Sequence, residues 1–239
     1  MSVRFAGFPS EGMEFLKKLA RNNKREWFQP RKEDFERYVK TPMLDLVTAL
    51  NQDLAKFAPN YITEPKRAVF RIYRDTRFSN DKTPYKTHIA AVFVRRGMEK
   101  HTGGMYYIAI SPKEVEVAGG IHQPDKEQTM AIRACMLDCA DEFRKICAAP
   151  KLRKLMGELK GAELSRMPKG FDSGHPAADL IRKKEWLHYV PLDPSVASTP
   201  ALQKEIVERF RSMLPVIEFL NQPLIDARAV MNGLPVDRW

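Results

Sequence analysis

Apolar side chains recur every three or four residues in the first sixty positions, which predicts helices in the N-terminal part of the chain. Ser10 has the residue type of a helix start, and the stripe after it predicts a helix over residues 10–21 that ends at Asn22-Asn23. Thr41-Pro42 has the residue types of a second helix start, and Ala58-Pro59-Asn60 ends that segment. The apolar positions of the two segments are Phe15, Leu16, Leu19, Met43, Leu46, Val47, Leu50, Leu54 and Phe57.

The apolar spacing changes to every second residue after position 66, which is typical of strands. A short connection, Ser111-Pro112-Lys113, separates two of the strand-like segments and predicts an antiparallel hairpin. Five segments have this pattern and are predicted strands: residues 67–75, 88–96, 104–111, 114–120 and 185–192.

Helical spacing returns in the second half of the chain. We predict a long helix from Pro124 to about Cys147, shorter ones over 151–160 and 177–183, and a last helix that begins after Thr199-Pro200. Helices, then a sheet, then helices are typical of the α+β class. We therefore predict a single α+β domain over residues 1–239, with an antiparallel sheet of about five strands flanked by N-terminal and C-terminal helices.

The positive charge of the chain is unevenly distributed. The formal net charge is +10, and the first hundred residues carry 21 basic and 12 acidic side chains, which is +9 of that total. This distribution favours an anionic partner on one part of the surface, either a small molecule or a nucleic acid. The alternative is a solvated basic face that serves solubility alone.

No segment approaches the eighteen consecutive apolar residues of a membrane span, so no membrane partner is expected. The N-terminal residues have no long apolar run after Arg4, so no signal peptide is predicted. Three cysteines in a chain of this length fit a reducing compartment. The expected location is therefore the cytoplasm.

The segment RIYRDTRFSNDKTPYKTH, residues 71–88, is the most basic part of the sequence. Residues 66–88 contain seven Lys or Arg side chains against two Asp, Asp75 and Asp81. On a strand, Arg71 would project from the face opposite Phe70 and Ile72, and residues 76–84 have the composition of a polar loop. Because unpaired like charges repel at this density, either acids from elsewhere or a bound anion should lie close to them.

The segment predicts a binding site for a phosphate- or carboxylate-bearing small molecule, which could be an enzyme's site. Arginine suits a two-pronged grip on such groups, and Tyr85 would shape the pocket. One alternative is a nucleic-acid-binding module that uses the basic N-terminal half, with Tyr73, Phe78 and Tyr85 stacking on bases. The other is a structural salt-bridge network. The predicted ligand-binding residues are Arg71, Arg74, Arg77, Lys82, Tyr85 and Lys86.

Two residues are candidates for catalysis. His175 lies in the glycine-rich segment GFDSGHP, where a neutral imidazole can act as a base, although a hydrogen bond that braces the loop is the simpler interpretation. Asp75 is the second candidate and can also orient a neighbouring arginine. Gly119-Gly120 could place backbone amides around an anion, although a plain turn is the simpler interpretation there too. Nucleotide-binding and zinc-protease motifs are absent from the sequence, and we expect no cofactor and no metal.

The chain resembles a family of conserved hypothetical proteins from bacteria and fungi, the domain of unknown function DUF2461, over roughly residues 5–225. The most specific part of the resemblance is RDTRFSNDKTPYK, residues 74–86. The resemblance implies an α+β fold, and it implies no activity and no catalytic residue. The other residues that carry it are Asn22-Asn23, Trp27-Phe28, Arg71, Gly119-Gly120, Pro168, Gly170-Phe171 and His175-Pro176.

Overall fold

The computed structural model describes residues 4–98 and 102–231. Helix α1 spans Ser10–Arg21 and ends at Asn22, as predicted. A nearly continuous helical run then includes α2 (Arg25–Phe28), α3 (Lys32–Phe35) and α4 (Thr41–Leu54). A 3-10 turn over Gln29–Arg31 joins α2 to α3, and a π-turn over Glu36–Lys40 joins α3 to α4.

The π-turn has a local cause in Pro42. Proline has no N–H to donate to the Tyr38 carbonyl four residues earlier, so the regular helical hydrogen bond is lost there. Helix α4 therefore begins at Thr41 as predicted, but Thr41 is not an N-cap, because Lys40 before it already has helical backbone angles. The Tyr38 carbonyl instead points at Gly12 of α1, where an added Cβ would overlap with the oxygen. Gly12 thus allows α1 to approach the π-turn closely.

The sheet has four strands, β1 (Ile89–Val94), β2 (Met105–Ile110), β3 (Val115–Ile121) and β4 (Trp186–Leu192). They are antiparallel and lie in the order β1-β2-β3-β4. The predicted α+β class is confirmed, and so is the hairpin at Ser111, whose N–H donates to the Glu114 carbonyl at 3.0 Å. The expected number of about five strands is one too many.

The segment predicted as the first strand, residues 67–75, is not a strand. It begins in a short helix, α5 (Pro65–Ala68), and then touches β1 at an isolated bridge between Val69 and Ala91. The Phe70 N–H donates to the Ala90 carbonyl at 2.9 Å, and beyond Phe70 the chain pairs with its own continuation instead. The alternation of polar and apolar residues therefore correctly predicted an extended backbone for this segment, but the segment leaves the sheet after a single bridge.

The second half contains α6 (Lys126–Cys147), α7 (Pro150–Met156), α8 (Ala178–Ile181) and α9 (Ala201–Met231). Helix α6 starts two residues after the predicted Pro124 because Asp125 caps it, accepting a hydrogen bond from the Gln128 N–H at 2.8 Å. Helix α7 ends before the predicted residue 160, since Gly157 follows it with a φ of +68°. Helix α9 contains both Pro215 and Pro223.

The chain divides into two compact units. The first unit consists of the described residues within Met1–Phe93, Tyr107–Val117 and Pro191–Glu208. The second consists of the described residues within Val94–Tyr106, Ala118–Val190 and Arg209–Trp239. The prediction of a single domain over the chain stays a prediction. The first unit buries large side chains that include Leu16, Leu19, Phe28, Phe35, Leu46 and Tyr85, and the second buries Tyr106, Met136, Phe143, Trp186 and Phe210 among others.

Within the described ranges, no helix combines the length and the apolar composition that a membrane crossing requires.

Candidate anion-binding segment

The basic segment folds into a narrow hairpin in the first unit, which we call the basic hairpin and define as residues 71–86. Its two arms pair through an antiparallel bridge between Tyr73 and Tyr85. The Arg74 N–H donates to the Pro84 carbonyl at 2.9 Å, and the Lys86 N–H donates to the Ile72 carbonyl at 2.8 Å. Residues 75–83 therefore form the loop at its tip, where most side chains are exposed.

Aromatic packing holds the base of the basic hairpin against the N-terminal helices. Tyr85 is only 1% exposed and stacks on Phe28 of α2 with 4.1 Å between ring centroids. The ring centroids of Tyr73 and Tyr85 are 5.4 Å apart, and those of Phe28 and of Phe35 in α3 are 5.5 Å apart. Burial raises the pKa of the Tyr85 hydroxyl. Tyr85, predicted as a ligand-binding residue, thus packs in the core of the hairpin's base.

Asn23, just after α1, fixes the second arm through two hydrogen bonds. Its Nδ2 donates to the Tyr85 carbonyl at 2.8 Å, and its Oδ1 accepts from the Tyr85 N–H at 3.0 Å. The side-chain amide therefore pairs with the Tyr85 backbone as a neighbouring strand would. This contact joins two parts of the sequence, Asn22-Asn23 and residues 74–86, that both carry the family resemblance.

We expect Asn23→Ala to lower the free energy of unfolding by about 1–3 kcal/mol, because it leaves the backbone N–H and carbonyl of the buried Tyr85 without these partners. The matched control is Asn22→Ala, which removes one exposed bond from Nδ2 to the Lys18 carbonyl at 2.9 Å. Urea denaturation followed by circular dichroism compares the two variants. Equal losses would contradict the role assigned to Asn23.

Arg74 closes the tip of the basic hairpin from inside. Its guanidinium donates through Nη1 to the Asp81 carboxylate and to the Thr83 hydroxyl. Asp81 also accepts from the Thr83 N–H at 2.9 Å. The Thr83 backbone bond, followed by the Arg74 bond, lowers the pKa of Asp81 to about 2. Arg74 and Asp81 therefore neutralise each other and shape the loop.

A second ion pair lies further out on the same loop. Arg77 donates to Asp75 through Nε at 3.0 Å and Nη2 at 2.8 Å, a two-pronged arrangement. The Arg77 side-chain bond, with its backbone bond, lowers the pKa of Asp75 to about 2. A carboxylate with so low a pKa is a poor proton acceptor near neutral pH. The geometry thus gives Asp75 the orienting role beside Arg77, and its role as a base stays a prediction.

The remaining cations of the basic hairpin are held differently. Lys82 donates through Nζ to the Thr76 carbonyl at 2.9 Å, which leaves its charge unneutralised. Lys86 lies over the Phe70 ring, with Nζ 5.0 Å from the ring centroid. Arg71 is exposed while Ile72 is buried, as the predicted alternation requires. Among the described residues, neither Arg71 nor Lys82 has a carboxylate oxygen within 4.0 Å.

Phe78 is the most exposed large apolar side chain that the structure describes, at 95%. It lies at the tip of the basic hairpin beside Arg77, whose guanidinium carbon is 5.7 Å from the ring centroid. An exposed ring in a strongly basic loop is suited to stacking on a planar partner.

His175, the first catalytic candidate, belongs to the second unit, whereas Asp75 belongs to the first. The His175 Nδ1 accepts a hydrogen bond from the Ala177 N–H at 3.1 Å, and its carbonyl accepts from the Ala178 N–H at 2.9 Å. Arg144 of α6 braces the same loop by donating to the Pro176 carbonyl at 2.8 Å. These contacts brace the loop at the start of α8, and a catalytic role for His175 stays a prediction.

Sequence reasoning missed Arg133, a buried arginine in α6. It lies next to Ile132 on the buried side of the helix and is 7% exposed. A basic residue among the apolar positions of an amphipathic helix is a readable signal for a buried polar site, because charged side chains are seldom buried.

The described part of the chain contains no group of three or more His, Cys, Asp or Glu side chains arranged to hold a metal ion. A search of curated proteins found no match. A family profile described as "Conserved hypothetical protein (DUF2461)" matches residues 11–219, which include the basic hairpin, His175 and all four strands. The chain therefore belongs to the DUF2461 family of conserved hypothetical proteins.

Proposed function

We propose that the basic hairpin binds phosphate groups, and that the protein is a single-stranded nucleic-acid-binding module. The observation that carries the proposal is that Arg71 and Lys82 have no carboxylate within 4.0 Å among the described residues, in a segment that also exposes Phe78. Exposed cations beside an exposed ring suit a ligand that lies along an open surface, with backbone phosphates on the cations and a base on the ring.

The net charge of the segment supports a polyanion. Seven basic and two acidic side chains in residues 66–88 leave a net charge of +5, and both acids are already paired with arginines. The uneven charge of the chain, +9 in the first hundred residues, adds long-range attraction for such a ligand. Association with nucleic acid should then weaken steeply as salt is added.

A small phosphate- or carboxylate-bearing molecule is the second candidate, and one observation favours it. Arg74 and Arg77 are held by Asp81 and Asp75, so part of the basic hairpin has a fixed geometry. Fixed donors suit recognition of a defined small anion, which can be the substrate of an enzyme, whereas a nucleic-acid backbone requires mainly charge.

Fluorescence anisotropy with labelled single-stranded DNA and RNA, over a series of salt concentrations, tests the proposal. We expect Arg71→Ala/Lys82→Ala to weaken binding roughly tenfold or more at low salt. For this double variant, the slope of log affinity against log salt concentration should become shallower by about 1.4, because each lost contact with a single strand removes about 0.7. Phe78→Ala should weaken binding about fivefold or more without changing that slope.

The matched control is Arg166→Ala/Lys151→Ala, which removes the same two charges from exposed positions of the second unit. An equal loss of affinity in the control, or no binding at low salt, would overturn the nucleic-acid proposal. Thermal shift with nucleoside phosphates and inorganic phosphate tests the second candidate, because a bound ligand raises the melting temperature. A shift that disappears only in the Arg71→Ala/Lys82→Ala variant supports that candidate.

A further inference from the structure

A cleft of about 440 Å³ lies in the second unit, at the start of α6. It is separate from the basic hairpin in the sequence and shares no residue with it. Its volume falls within the range of pockets for small organic ligands and is far too small for a folded partner. The residues that line the cleft are Gln123, Pro124, Thr129, Arg133, Ala162, Lys184 and Glu185.

Arg133 is the unusual member of this lining. The residue is 7% exposed, and its Nη2 donates to the Lys183 carbonyl at 3.1 Å. Its Nε is buried and has no hydrogen-bond partner, and no carboxylate of the described residues lies within 4.0 Å of the guanidinium. A buried guanidinium is costly unless it is paired, so its position on the wall of a cleft indicates a site for an anion.

A second cation and a carboxylate also line the cleft. Lys184 is exposed and has no ion pair within the described residues. Glu185 is held from two sides: His122 Nδ1 lies 2.7 Å from its Oε1, and the Ala162 N–H donates to its Oε2 at 3.5 Å. The cleft therefore offers positive groups and one positioned acceptor, which suits a ligand that carries both an anion and a hydrogen-bond donor.

The backbone around the cleft is also unusual. Gln123 has a φ of +50°, the only positive φ at a non-glycine position in the described part of the chain. Strained backbone of this kind occurs preferentially where a structure holds a ligand-binding loop in place. The loop that contains Gln123 leads into the capped N-terminus of α6, which also favours negative charge nearby.

We propose that this cleft binds a small organic anion that also carries a hydroxyl or amino group. Arg133 and Lys184 bind its carboxylate or phosphate, and Glu185 accepts a hydrogen bond from its hydroxyl or amino group. The ligand class is that of small hydroxy acids, amino acids and sugar phosphates. The proposal is independent of nucleic-acid binding at the basic hairpin.

Thermal shift and isothermal titration calorimetry on the full chain test the proposal with four probes: malate, serine, glycerol phosphate and inorganic phosphate. We expect at least one organic probe at millimolar concentration to raise the melting temperature and to bind saturably. Lys184→Gln should weaken that binding roughly fivefold to tenfold, because it removes a charge-assisted contact. Arg133→Gln should abolish it.

Three comparisons decide the outcome. Lys184 is exposed, so Lys184→Gln tests the cleft even where Arg133→Gln fails to fold, and Lys154→Gln is its control at another exposed lysine of the second unit. Glu185→Gln should weaken the organic probes more than inorganic phosphate. No binding by any probe, or equal affinity in Lys184→Gln and Lys154→Gln, overturns the proposal. Binding lost in Arg71→Ala/Lys82→Ala but kept in Lys184→Gln also overturns it and assigns the anion to the basic hairpin.

Discussion

Replacing Gly120 by alanine is expected to lower the free energy of unfolding by roughly 3 kcal/mol or more, the largest effect that we expect from any single substitution. Gly120 lies on β3 with a φ of +127°. A Cβ there would overlap with the Trp186 carbonyl oxygen and lie 2.7 Å from Leu187 Cα, both backbone atoms of β4. Backbone atoms cannot rotate away as a flexible side chain can, so β3 and β4 would have to separate.

The control for this substitution is Gly170→Ala in the same unit. Gly170 also has a positive φ, +92°, but a Cβ there would meet nothing within 4 Å. It therefore incurs only the conformational cost, about 1 kcal/mol. Chemical denaturation followed by circular dichroism measures both variants. A loss in Gly120→Ala no larger than that in Gly170→Ala would show that the close approach of the two strands is not what requires glycine.

Replacing Asn221 by leucine is expected to have the second largest effect, a loss of about 2–5 kcal/mol. Asn221 of α9 has no exposed surface. Its Oδ1 accepts from the Gly104 N–H at 2.7 Å, and its Nδ2 donates to the Gly104 carbonyl at 3.0 Å. Leucine has nearly the same size but cannot pair with either backbone group, so both would be left buried and unsatisfied.

The neighbouring Gln222 provides the control. Its Nε2 donates to the Asp226 side chain at 2.8 Å within the same helix, in a half-buried position. Gln222→Leu removes a bond between two side chains, and we expect it to cost less than about 1 kcal/mol. Differential scanning calorimetry of the two variants separates these expectations. Similar melting temperatures would mean that the Asn221 bonds contribute little.

The packing around Gly120 also gives the Gly119-Gly120 motif a structural role. Gly119-Gly120 suggested an amide cradle for an anion, but the structure gives both glycines packing reasons. A Cβ at Gly119 would lie 2.9 Å from Met213 Sδ and from Ile217 Cδ1 of α9. The glycine pair therefore allows β3 to be approached by β4 and by α9.

The helices were predictable from local information. The bounds of α1 follow from an apolar stripe with 3.6-residue spacing and from two asparagines that end it. The same spacing found α4, α6 and α9. The start of α6 and the end of α7 moved by a few residues, because a capping aspartate or a positive-φ glycine is a single residue that spacing alone does not locate.

The segment at 67–75 shows where local information was insufficient. Its alternation of polar and apolar residues is that of a strand, and it does take an extended form near Val69 and Tyr73. Whether an extended segment joins a sheet depends on the partner that it meets, and here the partner after Phe70 is its own continuation. Pairing is a long-range event that alternation does not encode.

Part of the candidate site is formed by residues that lie close together in the sequence. The pairs Asp75–Arg77 and Arg74–Asp81 join residues two and seven positions apart, and both lie within the motif that the sequence singled out. By contrast, Asn23 meets Tyr85 across 62 positions, and Arg133 reaches the Lys183 carbonyl across 50. Those contacts exist only because separate segments pack together.

The sequence by itself determined the family, the α+β class, the main helices and the concentration of positive charge between residues 66 and 88, because composition and periodic spacing are properties of the chain before it folds. Only the tertiary structure decided that Tyr85 is buried beneath the basic hairpin, and that Arg133 lines a cleft with no carboxylate of the described residues within 4.0 Å of its guanidinium. The physical reason is that charge pairing and burial depend on distances between segments, and folding alone sets those distances.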